Sequence, residues 1–224
     1  MPKKILKRLK SMREILKETF DKIYCINLDS RPDKWKMCVE EFEKYNILDL
    51  VERVPAIYHK NGYFGCTSSH LKCMELAKFN KFKKILILED DFEFVSCTPE
   101  KYIKKALQQS KTINWDMLYF SYRIELPREF IFYKDVSDNL FQSTSQLTTG
   151  GYGITDKLYN FVLTINPVNK CSLDVIYARY LSHKFKCLNI KPMVIGQRNE
   201  LYSDIRDRTV QHNWVKKMLK LYSI

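Results

Sequence analysis

The chain has 224 residues, of which 45% are hydrophobic, so it is long and apolar enough to fold around a sizeable core and is not a disordered chain. Its 38 lysines and arginines outnumber its 26 aspartates and glutamates, and the resulting net charge of +12 favours anionic partners such as nucleotide phosphates, nucleic acid or an acidic membrane surface. Its seven cysteines are odd in number and lack zinc-ribbon spacing, which argues against a closed disulfide framework and favours reduced thiols.

Residues 3–20 are predicted to form a basic amphipathic helix, because apolar residues recur at three- or four-residue steps among lysines and arginines. Two placements are open: an anchor on a membrane surface, or a helix packed on the domain or on a partner, which we favour. We expect three segments, with an N-terminal helix over 1–20, one catalytic domain over 21–206 and a basic helical tail over 207–224. No apolar run approaches the length of a membrane span.

A first strand is predicted over residues 22–28, followed by a polar turn and a helix over about 34–45. Polar side chains at the end of a first strand can hold a nucleotide base or ribose. The alternative is that Asp29 caps the helix and Arg31 is solvated, and these residues alone favour that alternative.

A second strand is predicted over residues 51–57, and the glycine-containing turn 62–70 is predicted to open a helix that runs through Ala77. Thr67 or Ser68 is the expected N-cap. The free N–H groups at such a helix start could receive a phosphate.

The most informative stretch is the aliphatic run 85–88, which leads directly into Glu89, Asp90 and Asp91. Such a run predicts a strand buried on both faces, and the carboxyl ends of parallel strands are where ligands bind in α/β sheets. Adjacent carboxylates repel one another unless a cation compensates, and their oxygens suit Mg²⁺ or Mn²⁺. The alternative is a solvated acidic turn.

The rest of the chain predicts one more run of alternating elements. The first are a helix over 99–110 capped by Thr98, a strand over 114–121, and a flexible loop or short strands over 122–143 that would lie over the site. A glycine-rich segment over 148–155 and helices over 155–163 and 171–182 follow. The last are short strands over 186–190 and 193–195, a polar loop over 197–204 and a basic helix over 214–221. Asp174 lies in the first turn of its helix, either as an acid stabilised by the helix dipole or as a carboxylate that faces the site.

Six motifs in one order resemble glycosyltransferase family 25, which includes bacterial lipooligosaccharide galactosyltransferases and collagen hydroxylysine galactosyltransferases. The matching segments are Ile26-Asn27-Leu28-Asp29-Ser30-Arg31-Pro32-Asp33, Gly65-Cys66-Thr67-Ser68-Ser69-His70, Leu86-Ile87-Leu88-Glu89-Asp90-Asp91, Trp115-Asp116-Met117-Leu118-Tyr119, Gly150-Gly151-Tyr152-Gly153-Ile154, and Gln197 with Ser203-Asp204-Ile205. The resemblance covers about residues 21–206.

The resemblance implies a GT-A fold, a single Rossmann-like α/β domain with a mostly parallel central sheet and flanking helices. It also implies a UDP-galactose or UDP-glucose donor, a Mn²⁺ or Mg²⁺ cofactor and transfer with inversion. The resemblance implies that Asp91, Glu89 and, as a late ligand, His212 contact the metal, and that Asp90 contacts ribose or sugar hydroxyls. It implies that Asn27, Leu28 and Arg31 line the nucleotide end and that Ser69, His70 and Gln197 lie near the donor. Gly150 to Gly153, including Gly151, would shape the sugar or acceptor side, and Asp174 would be the general base. For His212, a solvated tail histidine is the alternative.

We therefore expect a metal-dependent, inverting hexosyltransferase that uses a nucleotide-sugar donor and a glycan or hydroxylated acceptor. A non-catalytic nucleotide-sugar or glycan-binding module is the first alternative. A nucleic-acid-binding protein is the second, and it is not expected because the basic residues are scattered and form no recognisable motif. Reduced cysteines and an N-terminus without the apolar core of a signal peptide favour a cytoplasmic location, bacterial or viral, with the basic terminal helices as the parts that would contact a membrane.

Overall fold

The computed structural model describes residues 10–96, 98–124, 132–167, 171–199, 201–205 and 208–222. Residues 3–9 of the predicted first helix, Cys97 and residues 125–131 lie outside these ranges. The helices are α1 Met12–Thr19, α2 Pro32–Lys44, α3 Gly62–Phe79, α4 Pro99–Ser110, α5 Asp156–Val162, α6 Leu173–Ile176 and α7 Asn213–Tyr222. The strands are β1 Lys22–Asn27, β2 Val51–Pro55, β3 Lys84–Glu89, β4 Phe92–Phe94, β5 Met117–Tyr119, β6 Tyr133–Ser137, β7 Leu140–Ser143, β8 Gly151–Thr155, β9 Cys187–Ile190, β10 Ile195–Gln197, β11 Tyr202–Ser203 and β12 Arg208–Thr209.

The central sheet has eight strands in the order β2-β1-β3-β8-β5-β9-β7-β6. Strands β2, β1, β3, β5, β9 and β6 run in one direction, and β8 and β7 run against them. The predicted α/β fold with a mostly parallel central sheet and flanking helices is confirmed. Two short antiparallel pairs, β4 with β10 and β11 with β12, lie outside this sheet.

Both faces of the central strand β3 are buried, as its unbroken aliphatic run predicts. Ile85 and Ile87 belong to one apolar cluster, which includes residues of α3 and α5. Leu86 and Leu88 belong to the other, which includes residues of α1, α2 and α4. Because successive side chains of a strand point to opposite faces of the sheet, the aliphatic run 85–88 contributes to both apolar clusters.

The terminal helices pack on this framework. A capping box between Ser11 and Glu14 starts α1, whose residues Met12, Ile15 and Leu16 are buried. This agrees with the packed placement for the described part of the predicted 3–20 helix. In α7, Val215 and Met218 are buried. None of the helices in the described ranges is both long and apolar enough to cross a membrane.

Two local predictions are wrong. Helix α3 begins at Gly62, and its N-cap is Asn61, whose side chain accepts hydrogen bonds from the N–H groups of residues 63 and 64. Thr67 and Ser68 are therefore interior helix residues, and the phosphate site predicted at their N–H groups does not exist there. Thr98 precedes α4 but its side chain makes no capping hydrogen bond. By contrast, the short-strand alternative predicted within 122–143 is confirmed for residues 133–143, where β6 and β7 form a hairpin at the outer edge of the sheet.

Gly153 on β8 should not tolerate a side chain, because a Cβ there would lie 2.6 Å from Cε1 of Phe20. The Phe20 ring packs against Trp115 and Phe120, with centroid distances of 6.3 Å and 6.1 Å, so it has little room to move. We expect Gly153→Ala to lower the free energy of unfolding by about 1–3 kcal/mol in urea denaturation.

Gly150→Ala is the matched control, because the nearest atom to a Cβ at that position is 3.5 Å away. It should leave the free energy of unfolding unchanged or raise it by less than about 1 kcal/mol. Equal stability of the two variants would contradict the close packing of Phe20 on β8.

Candidate active site

The sheet topology brings the ends of strands β1, β3 and β8 together at one end of the sheet. Strands β1 and β3 are parallel, with Ile26 opposite Glu89, so their carboxyl ends meet. Strand β8 runs against β3, which places its first residue, Gly151, opposite Leu88 at the same edge. The pairing of β10 with β4 then sets Gln197 beside Phe92. These strand ends form a cleft of about 840 Å³, a volume that includes the open solvent at its mouth.

Glu89 is held as a carboxylate by two donors. His70 Nε2 lies 3.2 Å from its Oε1, and the Thr149 hydroxyl donates to the same oxygen at 2.6 Å. Burial alone would raise the pKa of Glu89, but the hydrogen bonds from His70 and Thr149, together with Lys34, hold it below its usual value. Glu89 is therefore a pre-formed anion at the cleft wall.

Asp90 is held by the end of the neighbouring strand. The Asn27 amide donates to Asp90 Oδ2 at 2.7 Å and to the Arg31 carbonyl oxygen at 3.0 Å, while its own oxygen accepts from Arg53 Nε at 2.8 Å. Burial raises the pKa of Asp90 despite Lys34 and Asn27. The side chain of Asn27, predicted at the nucleotide end, thus positions Asp90 and the following turn.

Asp91 is the least compensated of the three carboxylates. Gln197 Nε2 donates to its Oδ2 at 3.0 Å, but its buried Oδ1 finds no hydrogen-bond partner among the described residues. Burial, together with Glu89 and Asp90, raises the pKa of Asp91 to about 8. A buried carboxylate oxygen with no donor, beside two further carboxylates, fits a divalent cation, which would supply the missing positive charge.

A buried lysine that sequence reasoning missed lies across the cleft. Lys34 is 5% exposed, and its Nζ lies 2.6 Å from Asp204 and 3.6 Å from Asp90. Arg31 forms a second ion pair with Asp204 at 2.8 Å. Burial would lower the pKa of Lys34, but Asp90 and Asp204 raise it, so the ammonium stays charged. Nothing in the sequence distinguishes Lys34 from the other lysines.

The cleft is acidic although the chain carries a net charge of +12. Four carboxylates line it, Glu89, Asp90, Asp91 and Asp204, against Lys34 as the only lysine or arginine among the described lining residues. The excess positive charge therefore lies elsewhere, and an anionic ligand would meet net repulsion from this part of the wall.

Other predicted site residues line the same cleft. Leu28, Ser69 and His70 do so, together with Ile57 and Tyr58 at its mouth. The Ser69 hydroxyl donates to the Gly65 carbonyl oxygen at 2.7 Å and accepts from Ile57 N–H at 2.8 Å. It thereby ties α3 to the segment after β2. Its contact with a donor stays a prediction.

The predicted late ligand His212 also lines the cleft. Its Nδ1 accepts a hydrogen bond from Trp214 Nε1 at 3.2 Å. A neutral imidazole that accepts at Nδ1 carries its proton at Nε2, so in this arrangement the ring presents a donor there. The metal-ligand role of His212 stays a prediction and requires this hydrogen bond to break.

Asp174 supports the loop beside Glu89. Its Oδ2 accepts from the Thr148 N–H at 3.0 Å and its Oδ1 from the Val175 N–H at 2.8 Å. Thr148 has φ 81°, in the left-handed region, and two residues later the Gly150 carbonyl accepts from Glu89 N–H at 3.2 Å. Asp174 thus positions this loop, and its role as a general base stays a prediction. Gly151 contributes backbone close to Leu88 and Ile195.

Comparisons with known proteins agree with the motif resemblance. No family model matches the chain. Two curated relatives named "Glycosyltransferase 25 family member", from Drosophila melanogaster and Drosophila pseudoobscura pseudoobscura, are each 25% identical over 73% and 70% of this chain. These matches cover 31% and 29% of the relatives, so the chain spans about a third of their length. The predicted resemblance to glycosyltransferase family 25 is confirmed, and it supports a transferase.

Solved structures that are similar to this chain include a UDP-glucose pyrophosphorylase complexed with UDP-glucose, with 9% identity and a TM-score of 0.49 over 90% of this chain and 81% of that one. A putative glucose-1-phosphate thymidylyltransferase from Bacillus anthracis has 12% identity and a TM-score of 0.46 over 94% of this chain and 82% of that one. At such identities nothing about ligands or activity transfers to this chain.

The opposite pKa shifts of Asp91 and Glu89 predict opposite effects on stability in metal-free protein. The pKa of Asp91 rises from its ordinary 3.8 to about 8, so its charge destabilises the folded state increasingly as pH rises from about 4 to about 8. Asp91→Asn should raise the melting temperature in EDTA at pH 8 by several degrees, and by less at pH 5.

Glu89→Gln is the matched variant and should lower the melting temperature, because the carboxylate of Glu89 is stabilised in the folded protein. Circular-dichroism melts of both variants across pH test this pair. Destabilisation by Asp91→Asn at pH 8 would show that Asp91 is satisfied without a cation.

Proposed function

We propose that the chain is a metal-dependent, inverting glycosyltransferase that moves a hexose from a UDP-sugar, with galactose or glucose as the sugar, to a hydroxyl of a glycan or protein acceptor. The observation that carries this proposal is Asp91, a buried carboxylate with an unpartnered oxygen, at the strand end where the family resemblance expects the donor site. The two relatives named as family 25 glycosyltransferases support the reaction class.

The acidity of the cleft supports dependence on a cation. A nucleoside diphosphate carries at least two negative charges, and four carboxylates line the cleft. Lys34 and Arg31 both form ion pairs with Asp204. Part of their positive charge is therefore neutralised by Asp204, and the rest is too little to balance the negative charge of Glu89, Asp90 and Asp91. Donor affinity should therefore depend on a bound cation.

Asp91 would hold this cation, with Glu89 beside it and His212 as the proposed later ligand. When bound, Mn²⁺ or Mg²⁺ would neutralise the donor diphosphate and stabilise the charge that develops on the departing nucleotide. Gln197 orients Asp91 through the hydrogen bond to Oδ2. The hydrogen bonds from His70 and Thr149 keep Glu89 ionised for the same purpose.

The remaining residues would bind and orient the donor. Lys34 in the cleft lining would face the diphosphate, which would compete with Asp204 for its ammonium group. Arg31 is linked to the cleft through its ion pair with Asp204 and would reach the nucleotide end once that pair is displaced. Asp90, fixed by Asn27, would accept hydrogen bonds from ribose or sugar hydroxyls. The walls at Leu28 and Ile57 would contact the nucleotide. Inversion by direct displacement requires one base for the acceptor proton, and Asp174 is proposed for that role.

Asp91→Ala should abolish the thermal stabilisation that UDP gives in the presence of Mn²⁺, and should lower transferase or donor-hydrolysis activity by at least about 100-fold. The measurement is a thermal-shift and hydrolysis screen of UDP, GDP and their hexose conjugates, with and without Mn²⁺. Asp156→Asn is the control, because Asp156 pairs with Lys83 at the opposite end of β3.

Full activity of Asp91→Ala without added metal would overturn the proposal. Binding of a UDP-sugar with Mn²⁺ but without release of UDP, for every acceptor tried, would favour the alternative of a non-catalytic nucleotide-sugar-binding module.

Asp174→Asn separates the proposed general base from a purely positioning role. Loss of a base should lower kcat by about 10²–10⁴-fold while the affinity for UDP and Mn²⁺ stays unchanged. If Asp174 only supports the 148–150 loop next to Glu89, both kcat and metal-dependent UDP binding should fall together. Steady-state kinetics and calorimetry on the same preparation distinguish the two results.

A further inference from the structure

Three side chains with different ligand chemistry meet at the cleft wall. Cys66 and His70 lie four residues apart on one face of α3, and that face packs against the end of β3 at Glu89. The ligand atoms of the three side chains all lie within 4.8 Å of one another. The resemblance to family 25 assigned His70 to the donor surroundings and Glu89 to a hard metal, and it assigned nothing to Cys66.

We propose that Cys66 Sγ, His70 Nε2 and Glu89 Oε1 form a second metal site, which binds a thiophilic divalent cation, Zn²⁺, and overlaps the carboxylate site at Glu89. The claim that a metal binds here does not depend on the proposed function. Its consequence for transfer does, since one Glu89 cannot serve both ions in the same geometry.

The spacing of the ligand atoms is close to that of a tetrahedral zinc site. With metal–sulfur bonds of about 2.3 Å and metal–nitrogen or metal–oxygen bonds of about 2.0–2.2 Å, neighbouring ligand atoms lie about 3.3–3.7 Å apart. His70 Nε2 and Glu89 Oε1 are already 3.2 Å apart. Cys66 Sγ lies within 4.8 Å of both atoms, so it needs to approach by at most about 1.5 Å, which is within the reach of a rotation about its χ1 angle.

Access to this site is open because Cys66 lines the cleft and is only partly buried. The cleft leaves room for a water molecule as a fourth ligand. This arrangement of three protein ligands and one open position differs from a closed structural zinc site.

The three metal-ligand atoms of Cys66, His70 and Glu89 favour a different class of metal from the one proposed at Asp91. Thiolate and imidazole favour Zn²⁺ over Mg²⁺ and Mn²⁺, whereas the carboxylate oxygens of Asp90 and Asp91 favour the harder ions. The two sites therefore discriminate by ligand softness although they share Glu89.

The surrounding hydrogen bonds suit a ligating histidine. His70 Nδ1 lies 3.0 Å from the Tyr152 hydroxyl, which lies 3.4 Å from the Tyr177 hydroxyl. With a metal at Nε2, the ring proton moves to Nδ1 and donates to Tyr152, whose own proton turns towards Tyr177. Ligating histidines in proteins make this kind of second hydrogen bond as a rule.

Metal binding also requires the Cys66 thiolate, and it releases one proton to solvent with no change in oxidation state. Burial, with Glu89 and Asp174 nearby, raises the pKa of the Cys66 thiol well above its usual value. The free thiol is therefore a poor nucleophile near neutral pH, and alkylation is a weak probe of this site.

Cobalt absorption is the direct test, because thiolate-bound Co²⁺ has a near-ultraviolet charge-transfer band that oxygen-bound Co²⁺ lacks. Titration of Co²⁺ into reduced, metal-free protein should produce this band with one ion per chain, and Zn²⁺ should bleach it. Cys66→Ser should remove the band and weaken Co²⁺ binding by at least about 100-fold. Cys171→Ser, which alters a thiol outside the cleft, should keep it.

X-ray absorption of the unmodified protein with one equivalent of Zn²⁺ gives a second readout that needs no variant. We expect one sulfur ligand at about 2.3 Å with nitrogen and oxygen ligands at about 2.0–2.2 Å. A shell of nitrogen and oxygen alone, or a cobalt band that survives Cys66→Ser, would overturn the proposal. Neither assay uses donor or activity, so a negative result here is distinct from failure of the proposed function.

Discussion

The site depends on electrostatic repulsion among three successive carboxylates at the end of a buried strand. Burial removes the water that would screen Glu89, Asp90 and Asp91, so each needs a specific partner from elsewhere in the fold. Two of them find one: Glu89 through His70 and Thr149, and Asp90 through Asn27 and Lys34. Asp91 has only Gln197 at one oxygen, and the resulting deficit is what a cation would fill.

Helix α3 forms the part of the cleft wall that lies next to the carboxylates of Glu89, Asp90 and Asp91. Its N-cap at Asn61 fixes the phase of the helix, so that Cys66, Ser69 and His70 project towards the ends of β2 and β3. These three side chains contribute different groups, namely a thiol in the cleft, a hydroxyl that ties the helix to Ile57, and an imidazole that contacts Glu89.

The distribution of charge matters more than its total. The net charge of +12 predicts an attraction for anions, yet the lining of the cleft is acidic, and its one lysine among the described residues, Lys34, is paired with Asp204 and faces Asp90. Under the proposed function, such a cleft would discriminate between a free anion and an anion that arrives with a divalent metal. The consequence is that the Asp91 carboxylate is destabilised by burial and by its neighbours Glu89 and Asp90.

The sequence by itself predicted strands β1, β2, β3, β5 and β9, the burial of both faces of β3 and the position of the carboxylate triplet, because apolar runs and strand-end acids are local patterns. Strand β8 is predicted only as a glycine-rich segment, and its place between β3 and β5 is decided by the tertiary structure. The sequence also determined the family resemblance. Only the tertiary structure decided that Lys34 is buried, that Asn27 supports Asp90, and that Cys66 joins His70 and Glu89. These contacts join residues far apart in the chain, 63 positions for Asn27 and Asp90 and 170 for Lys34 and Asp204. Local periodicity carries no information about such pairs, since they form only when the strand ends meet at one edge of the sheet.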